Sequence, residues 1–538
     1  MMRNRFVHLL SVSLLAVFLS LQAGCGRGGD SSAAPETFIF ARGSDAQKLD
    51  PADVDDGESV NTLTQICEGL VRFKSGTLEI EPCLAKSVMI EPDGLTYRFE
   101  LREGVTFHDG TPLTAEVALF SFRRQMEDDH PGHLPGANFQ YWRYLYQDVI
   151  AVEAEGPMTI VFRLSQPNAS LLNSLAIFPA FLVSPAGLDT YGADFQRHPI
   201  GTGPWRFVSW EPNEAIIMER NPDYWDKAHA PQFERLVMKV VPDNTVRLLE
   251  LRSGRVHGLD GLQPAEVVYL DADPGFTVYQ HAGLNVGYLS FNLNLPKYQN
   301  PEIRAAIAMA INRTELAMVA LDGAGRPATY PIPPGFLGEP SLPDPIVRDV
   351  EKAREIIARH ADLFTEPIKL QVMSAPRQYF PDPVKVASFI RSELERIGLQ
   401  VEIVSKDFKS HLADLRDFNY DLGLIGWVGD NGDTDNFLGI LLGSWAAVKG
   451  SATNFSDYRN EEMDRVLLAA RAETNKAVRQ KLYEEALAIW RRDLPIVPLI
   501  HGDNIAVMRS EVTGFELQLI GDLRLGPLGW KARGEGDR

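Results

Sequence analysis

The sequence predicts an α/β protein with mixed sheets, built as more than one lobe. Two kinds of pattern predict the class. Short segments alternate apolar and polar residues, as half-buried strands do, and others repeat apolar residues at helical spacing. In places the two follow one another across a glycine, which is the αβ unit of a layered sheet. Length predicts the lobes, because 538 residues exceed what one hydrophobic core supports.

The elements follow in chain order. Arg3 and Arg5 give a basic start, residues 6–21 form an apolar core of signal-peptide length, and Leu21-Gln22-Ala23-Gly24-Cys25 reads as a lipoprotein cleavage site with Cys25 as the acylated residue. Gln22 departs from the usual pattern, where an aliphatic residue is common. A stop-transfer anchor competes, but the apolar run contains His8 and three serines and is short for a bilayer span. Residues 26–35 are Gly- and Ser-rich, a flexible tether.

Leu95-Thr96-Tyr97-Arg98-Phe99-Glu100-Leu101 and Met158-Thr159-Ile160-Val161-Phe162-Arg163-Leu164 alternate as strands. Between them, Thr114 is placed to cap a helix running through Val117, Phe120 and Phe122. Pro199-Ile200-Gly201-Thr202-Gly203-Pro204-Trp205 is a tight turn leading into a strand through Val208. Asn300-Pro301 opens a helix carrying Ile303, Ala306, Ile307, Ala310 and Ile311. A second helix carries Ala387, Ile390, Leu394 and Ile397, stops at Gly398, and alternates into a strand at Leu399, Val401 and Ile403. Residues 475–492 form an amphipathic helix, and residues 494–500 an apolar strand.

Composition narrows the function classes. Removing residues 1–24 takes two positive charges from a net −19, leaving about −21. Such a chain has no basic stripe for nucleic acid. There is no second membrane-length apolar stretch and no solenoid repeat. Cys67 and Cys83 could bond in an oxidising compartment or remain two buried thiols, and neither has the CxxC or nearby His partner of a metal site. His108-Asp109 invites a catalytic reading, but it sits between a strand and Gly110, where His packs or caps a turn. No nucleophile elbow, HExxH helix or phosphate loop occurs.

The most informative stretch is Gly426-Trp427-Val428-Gly429-Asp430-Asn431-Gly432-Asp433-Thr434-Asp435-Asn436-Phe437, after the strand-like Leu422-Gly423-Leu424-Ile425. Three carboxylates and an indole among glycines at the end of a buried strand call for a cation, and a ligand ammonium would serve. The plain alternative is a solvated turn. A calcium loop does not fit, since neither register starting at Asp430 or Asp433 puts Gly sixth and Glu twelfth.

Several ordered blocks resemble family 5 extracellular solute-binding proteins. They are Asp93-Gly94-Leu95-Thr96-Tyr97-Arg98-Phe99-Glu100-Leu101, Phe107-His108-Asp109-Gly110-Thr111-Pro112, the turn at 199–205, Gly283-Leu284-Asn285-Val286-Gly287-Tyr288, and residues 304–312. The blocks at Gly283 and Gly426 are most similar to periplasmic dipeptide-binding proteins, and the resemblance spans about residues 38–530. It implies a two-lobed periplasmic binding protein of the type II, cluster C-like class, with an extra third domain and a two-segment hinge. The expected division is a signal at 1–24, a tether at 25–36, one lobe from 37–65 with 199–283 and 503–538, an extra domain at 66–198, and a second lobe at 284–502. The crossings fall near Gly283-Leu284-Asn285 and His501-Gly502-Asp503.

The resemblance also implies the binding residues. Asp430 takes a ligand ammonium, Gly429 lies in the same loop, and Trp427 and Phe437 build an apolar wall. Arg377, in Ala375-Pro376-Arg377-Gln378-Tyr379-Phe380-Pro381, grips the carboxylate, and Tyr379 adds a ring or hydroxyl. A guanidinium suits that role because its planar fork matches both oxygens. An extended dipeptide separates its charged ends by about 7 Å, at about 3.5 Å per residue. Asp433 and Asp435 either deepen the negative field or shape the loop.

The implied partners are a short peptide, an inner-membrane ABC permease with ATPase subunits, and the membrane through the lipid anchor. The implied setting is the periplasmic or cell-envelope face, with the protein as a monomer. No cofactor, metal or catalytic residue is expected. Relatives bind oligopeptides, glutathione, haem, nickel complexes or oligosaccharides, so those ligands stay open, as does a secreted hydrolase.

Overall fold

A computed structural model describes residues 36–336 and 346–531. The export signal, Cys25 and the tether through Pro35 lie outside the described residues. Among those described, no helix is long and apolar enough to cross a membrane.

One 12-stranded sheet organises the chain. From one edge its order is Val401–Lys406, Ile368–Met373, Leu422–Val428, Asn285–Phe291, Ile496–Arg509, Gly258–Asp260, Thr37–Arg42, Arg235–Val240, Ala215–Arg220 and Trp205–Glu211. Phe276–Ala282 and Gly325–Pro327 also pair with Ile496–Arg509. Pairing is mixed: Ile368–Met373 runs parallel to both of its neighbours, and Asn285–Phe291 runs antiparallel to both of its own.

The 14-residue strand Ile496–Arg509 belongs to both halves of the sheet. Its first part pairs with Asn285–Phe291 and its last with Phe276–Ala282. The chain therefore passes between the halves twice, between Ala282 and Asn285 and within Ile496–Arg509. Asn285 clamps the crossing. Its amide donates to the Gly502 carbonyl at 2.7 Å and accepts from the Gly502 N–H at 2.9 Å. The His501 Nδ1–H donates to the Asn285 carbonyl at 2.6 Å. Gly502 has a steric reason to be glycine, since a Cβ there would lie 2.1 Å from the Gln378 carbonyl oxygen.

A separate four-stranded antiparallel sheet is ordered Ala85–Ile90, Thr96–Leu101, Thr159–Leu164, Val149–Ala154. The two strands read most clearly from alternation are neighbours in it, in register from Thr96 opposite Arg163 to Glu100 opposite Thr159. Helix Ala115–Met126 packs on this sheet, and the Thr114 hydroxyl accepts from the Val117 N–H as expected. Arg124 on this helix donates from both terminal nitrogens to Asp50, a pair 1% and 3% exposed.

Buried apolar residues form two large cores. One lies within residues 284–500, and the other joins residues 38–238 to 506–528, including the four-stranded sheet. A smaller cluster around Ala41, Leu259 and Val507 covers part of the large sheet.

Two boundaries differ from the sequence reading, and of the two states left open for the cysteines the structure has one. The last long helix, Lys476–Asp493, ends on Leu494 at φ 45, so the strand begins at Ile496. Gly398 does stop helix Pro383–Arg396, at φ 92, but the following strand starts at Val401. Cys67 and Cys83 are both free and buried. Their surroundings explain it: Cys67 packs on the backbone at Gly201, while the Cys83 thiol faces Glu68 Oε1 at 3.8 Å.

Candidate ligand-binding site

Strands Ile368–Met373 and Leu422–Val428 are parallel neighbours, with Leu370 opposite Leu422 and Val372 opposite Leu424. The segments that follow them carry Arg377 and Asp430, so both leave the same edge of the sheet. Carboxyl ends of parallel strands are where open α/β sheets place ligands. The turn after the first strand is closed by reciprocal backbone bonds between Arg377 and Phe380, at 3.0 and 2.9 Å. It packs directly on the second strand, where a Cβ on Gly426 would lie 2.4 Å from the Tyr379 ring.

The acidic loop is built by its asparagines. Asn436 Oδ1 accepts from the Asp430 N–H at 2.8 Å and from the Trp427 indole at 3.4 Å, while its amide reaches Asp430 Oδ2 at 3.4 Å. Asn431 joins the loop to the other core: its amide donates to Ser174 Oγ at 3.0 Å, and its carbonyl accepts from Asn173 at 3.1 Å. Gly429 admits the Phe437 ring, which a Cβ would meet at 2.5 Å.

The three carboxylates have different fates. Asp433 is 7% exposed and takes both terminal nitrogens of Arg479 at 2.7 Å. Asp435 binds Arg471 Nε at 2.9 Å. Both arginines come from helices, Glu461–Ala472 and Lys476–Asp493, so these two acids shape the loop. Asp430 is half-buried and takes hydrogen bonds from neutral groups, the Asn436 amide and the Tyr141 hydroxyl. Burial first, then the negative charges of Asp430 and Asp55, push the Tyr141 phenol well above its usual range. Tyr141 sits on helix Gln140–Leu145, whose neighbours belong to the other core, so Asp430 faces across from one core to the other.

Arg377 is half-buried, with its guanidinium stacked over the Phe408 ring at 3.9 Å. That stacking orients the planar fork, whose Nη1 also donates to the Pro376 carbonyl at 3.5 Å.

One expected wall residue, Phe437, and Tyr379 are both buried. Phe437 is fully buried, against the Phe336 ring at 5.5 Å, and supports the loop from beneath. Tyr379 is 4% exposed, its hydroxyl 3.9 Å from Met373 Sδ. Burial pushes its phenol up to about 12, against the opposing charge of Arg377. Both rings are packing elements because a glycine, Gly429 or Gly426, opens a socket for each. Trp427 remains half-buried at the strand end.

Tyr141, Asn431 and Asn436 were not singled out from sequence. For Tyr141 the available signal was aromatic density in Phe139-Gln140-Tyr141-Trp142. His108 is structural: its Nε2 meets the Gly203 carbonyl at 3.0 Å, and burial holds its imidazole down at about 4. Among the described residues no group of three or more His, Cys, Asp or Glu side chains could hold a metal ion.

Residues 79–448 match the family described as "Bacterial extracellular solute-binding proteins, family 5 Middle". The chain belongs to this family. Relatives of this solute-binding protein agree over nearly its whole length. It is 30% identical over 506 residues to heme-binding protein A of Haemophilus influenzae, covering 90% of each chain. It is 28% identical over 530 residues to the dipeptide-binding protein of Escherichia coli, covering 95% of this chain and 96% of that one. The solved structure of the periplasmic binding protein DppA from Helicobacter pylori, in complex with the peptide STSA, superposes with a TM-score of 0.81 at 31% identity, covering 92% and 98%.

Proposed function

We propose that this solute-binding protein is the exported, lipid-anchored receptor of an ABC importer and captures short peptides, dipeptides above all. Asp430 receives the ligand ammonium and Arg377 its carboxylate, with Trp427 beside them. The lobes close about the crossings at Gly283-Leu284-Asn285 and His501-Gly502-Asp503. The observation that carries the reading is the fate of the loop acids. Two of the three are matched to structural arginines, and the third, Asp430, takes the Asn436 amide and the Tyr141 hydroxyl, the latter from the opposite core. Its position beyond the same sheet edge as Arg377 supplies the second pole. Similarity to the E. coli dipeptide-binding protein and to the peptide-bound H. pylori structure supports the same ligand class.

Burying both termini makes length selective. A ligand lacking one charge leaves its protein partner desolvated and unpaired, a cost of several kcal/mol. Calorimetry with Ala-Phe, its N-acetyl form, its C-terminal amide, and haem tests the reading. Free Ala-Phe is expected to bind at about micromolar Kd, or about −8 kcal/mol, with each blocked form weaker. Haem binding with no heat from Ala-Phe would transfer the assignment to the ligand in the H. influenzae relative's name.

A further inference from the structure

A cavity of about 390 Å3 opens at the other core. It is lined by residues 64–83, 176–181, 204–229 and 514–527, with none of the described residues between 284 and 502 among them. It is therefore separate from the crevice that carries Arg377 and Asp430. Its volume lies in the range of small-molecule sites.

The floor is rigid and polar. Glu68 is 8% exposed, and its carboxylate takes the Tyr224 hydroxyl at 2.9 Å, the Trp225 indole at 2.9 Å and the Thr202 hydroxyl at 2.8 Å. Arg72 is held by Glu81 at 2.7 Å, and Arg524 donates to the Phe73 carbonyl at 2.8 Å. Phe181, Pro204 and Pro527 supply apolar wall.

The charges do not balance. Glu68, Glu81, Glu516 and Asp522 face two guanidiniums, Arg72 and Arg524. Asp522 is the buried member that is only partly compensated. Its side chain is 10% exposed, one oxygen is buried without a hydrogen-bond donor, and Arg524 Nε stands 3.8 Å from the other. Low-dielectric walls of one net sign concentrate the field in the space between them, and an under-compensated buried carboxylate favours a cation there.

We propose that this cavity is a second binding site, for a small amphipathic cation. A primary ammonium group answers Asp522, with Glu516 at the mouth. An aromatic or alkyl body lies against Phe181, Pro204 and Pro527.

Calorimetric titration of the purified full chain with 2-phenylethylamine tests this. One-site binding is expected, retained in Arg377→Ala/Asp430→Asn, and weakened at least about tenfold in Asp522→Asn, as loss of a desolvated charge partner requires. Glu516 is exposed, so Glu516→Gln leaves the fold intact and is expected to weaken binding about threefold, as a rim charge does. 2-Phenylethanol, the same body without charge, is expected to bind at least about tenfold more weakly. Absence of amine binding, equal binding of the alcohol, or an unchanged affinity in both carboxylate variants overturns the proposal. Loss of binding in Arg377→Ala/Asp430→Asn would put the amine in the crevice instead, and would leave the peptide reading standing.

Discussion

Replacing Arg479 with Met removes the counter-charge of Asp433 and should unlock the acidic loop. Asp433 is 7% exposed and Arg479 15%, and two bonds of 2.7 Å join them. Without the guanidinium, Asp433 keeps one backbone donor, the Asp435 N–H at 2.9 Å. Stranding a buried carboxylate in this way costs about 3–5 kcal/mol. Arg479 also donates to the Ala470 carbonyl and the Tyr483 hydroxyl, each at 2.9 Å, which adds about 1 kcal/mol per bond lost. A destabilisation of about 4 kcal/mol or more is expected in the urea transition of the core within residues 284–500, with hydrogen exchange accelerated from Gly429 to Asn436. Asp433→Asn made in the Arg479→Met background should recover about 2 kcal/mol, because it removes the stranded charge. A single-variant loss under about 1 kcal/mol, or no recovery in the double variant, would refute the view that these helices hold the loop in shape.

Three further outcomes are expected. Gly502→Ala would set a Cβ 2.1 Å from the Gln378 carbonyl oxygen, so the crossing must shift; a loss of about 1–3 kcal/mol by urea unfolding is expected, and a neutral result would mean the crossing is loose. His411 is buried, its Nε2–H donating to the Leu424 carbonyl at 3.1 Å, and burial holds its imidazole down at about 4. Between pH 6.5 and 4 the unfolded imidazole therefore binds a proton that the native one excludes, so its contribution to stability falls as pH drops; His411→Gln should give a shallower loss across that window in urea midpoints. Thiol titration in denaturant without reductant should find Cys67 and Cys83 both reactive, as two free thiols require.

Much of the fold was legible in the sequence because the decisive signals were local. Alternation at Thr96–Leu101 and Thr159–Leu164 gave strands that prove to be partners, and Thr114, Asn300 and Gly398 mark helix ends by side-chain capping or positive φ. Leu494 was misread because an apolar residue in the left-handed region imitates the start of a strand. The acidic loop was legible by residue type, and its wiring was not. Arg479 lies 46 positions from Asp433, and Asn431 reaches Ser174 across 257; no periodicity encodes such pairs. Phe437, expected as a wall, and Tyr379, expected to offer a ring or hydroxyl, flank the loop and turn, yet the sockets at Gly429 and Gly426 draw them inward.

The measurement closest to the central claim is a charge-deletion cycle on both partners. Calorimetry would compare Ala-Phe with N-acetyl-Ala-Phe on the parent protein, Asp430→Asn and Arg377→Ala. If Asp430 holds the ammonium, Asp430→Asn loses most of the preference for the free amine, while Arg377→Ala weakens both ligands and keeps that preference. An Asp430→Asn protein that still discriminates as strongly as the parent would contradict the account.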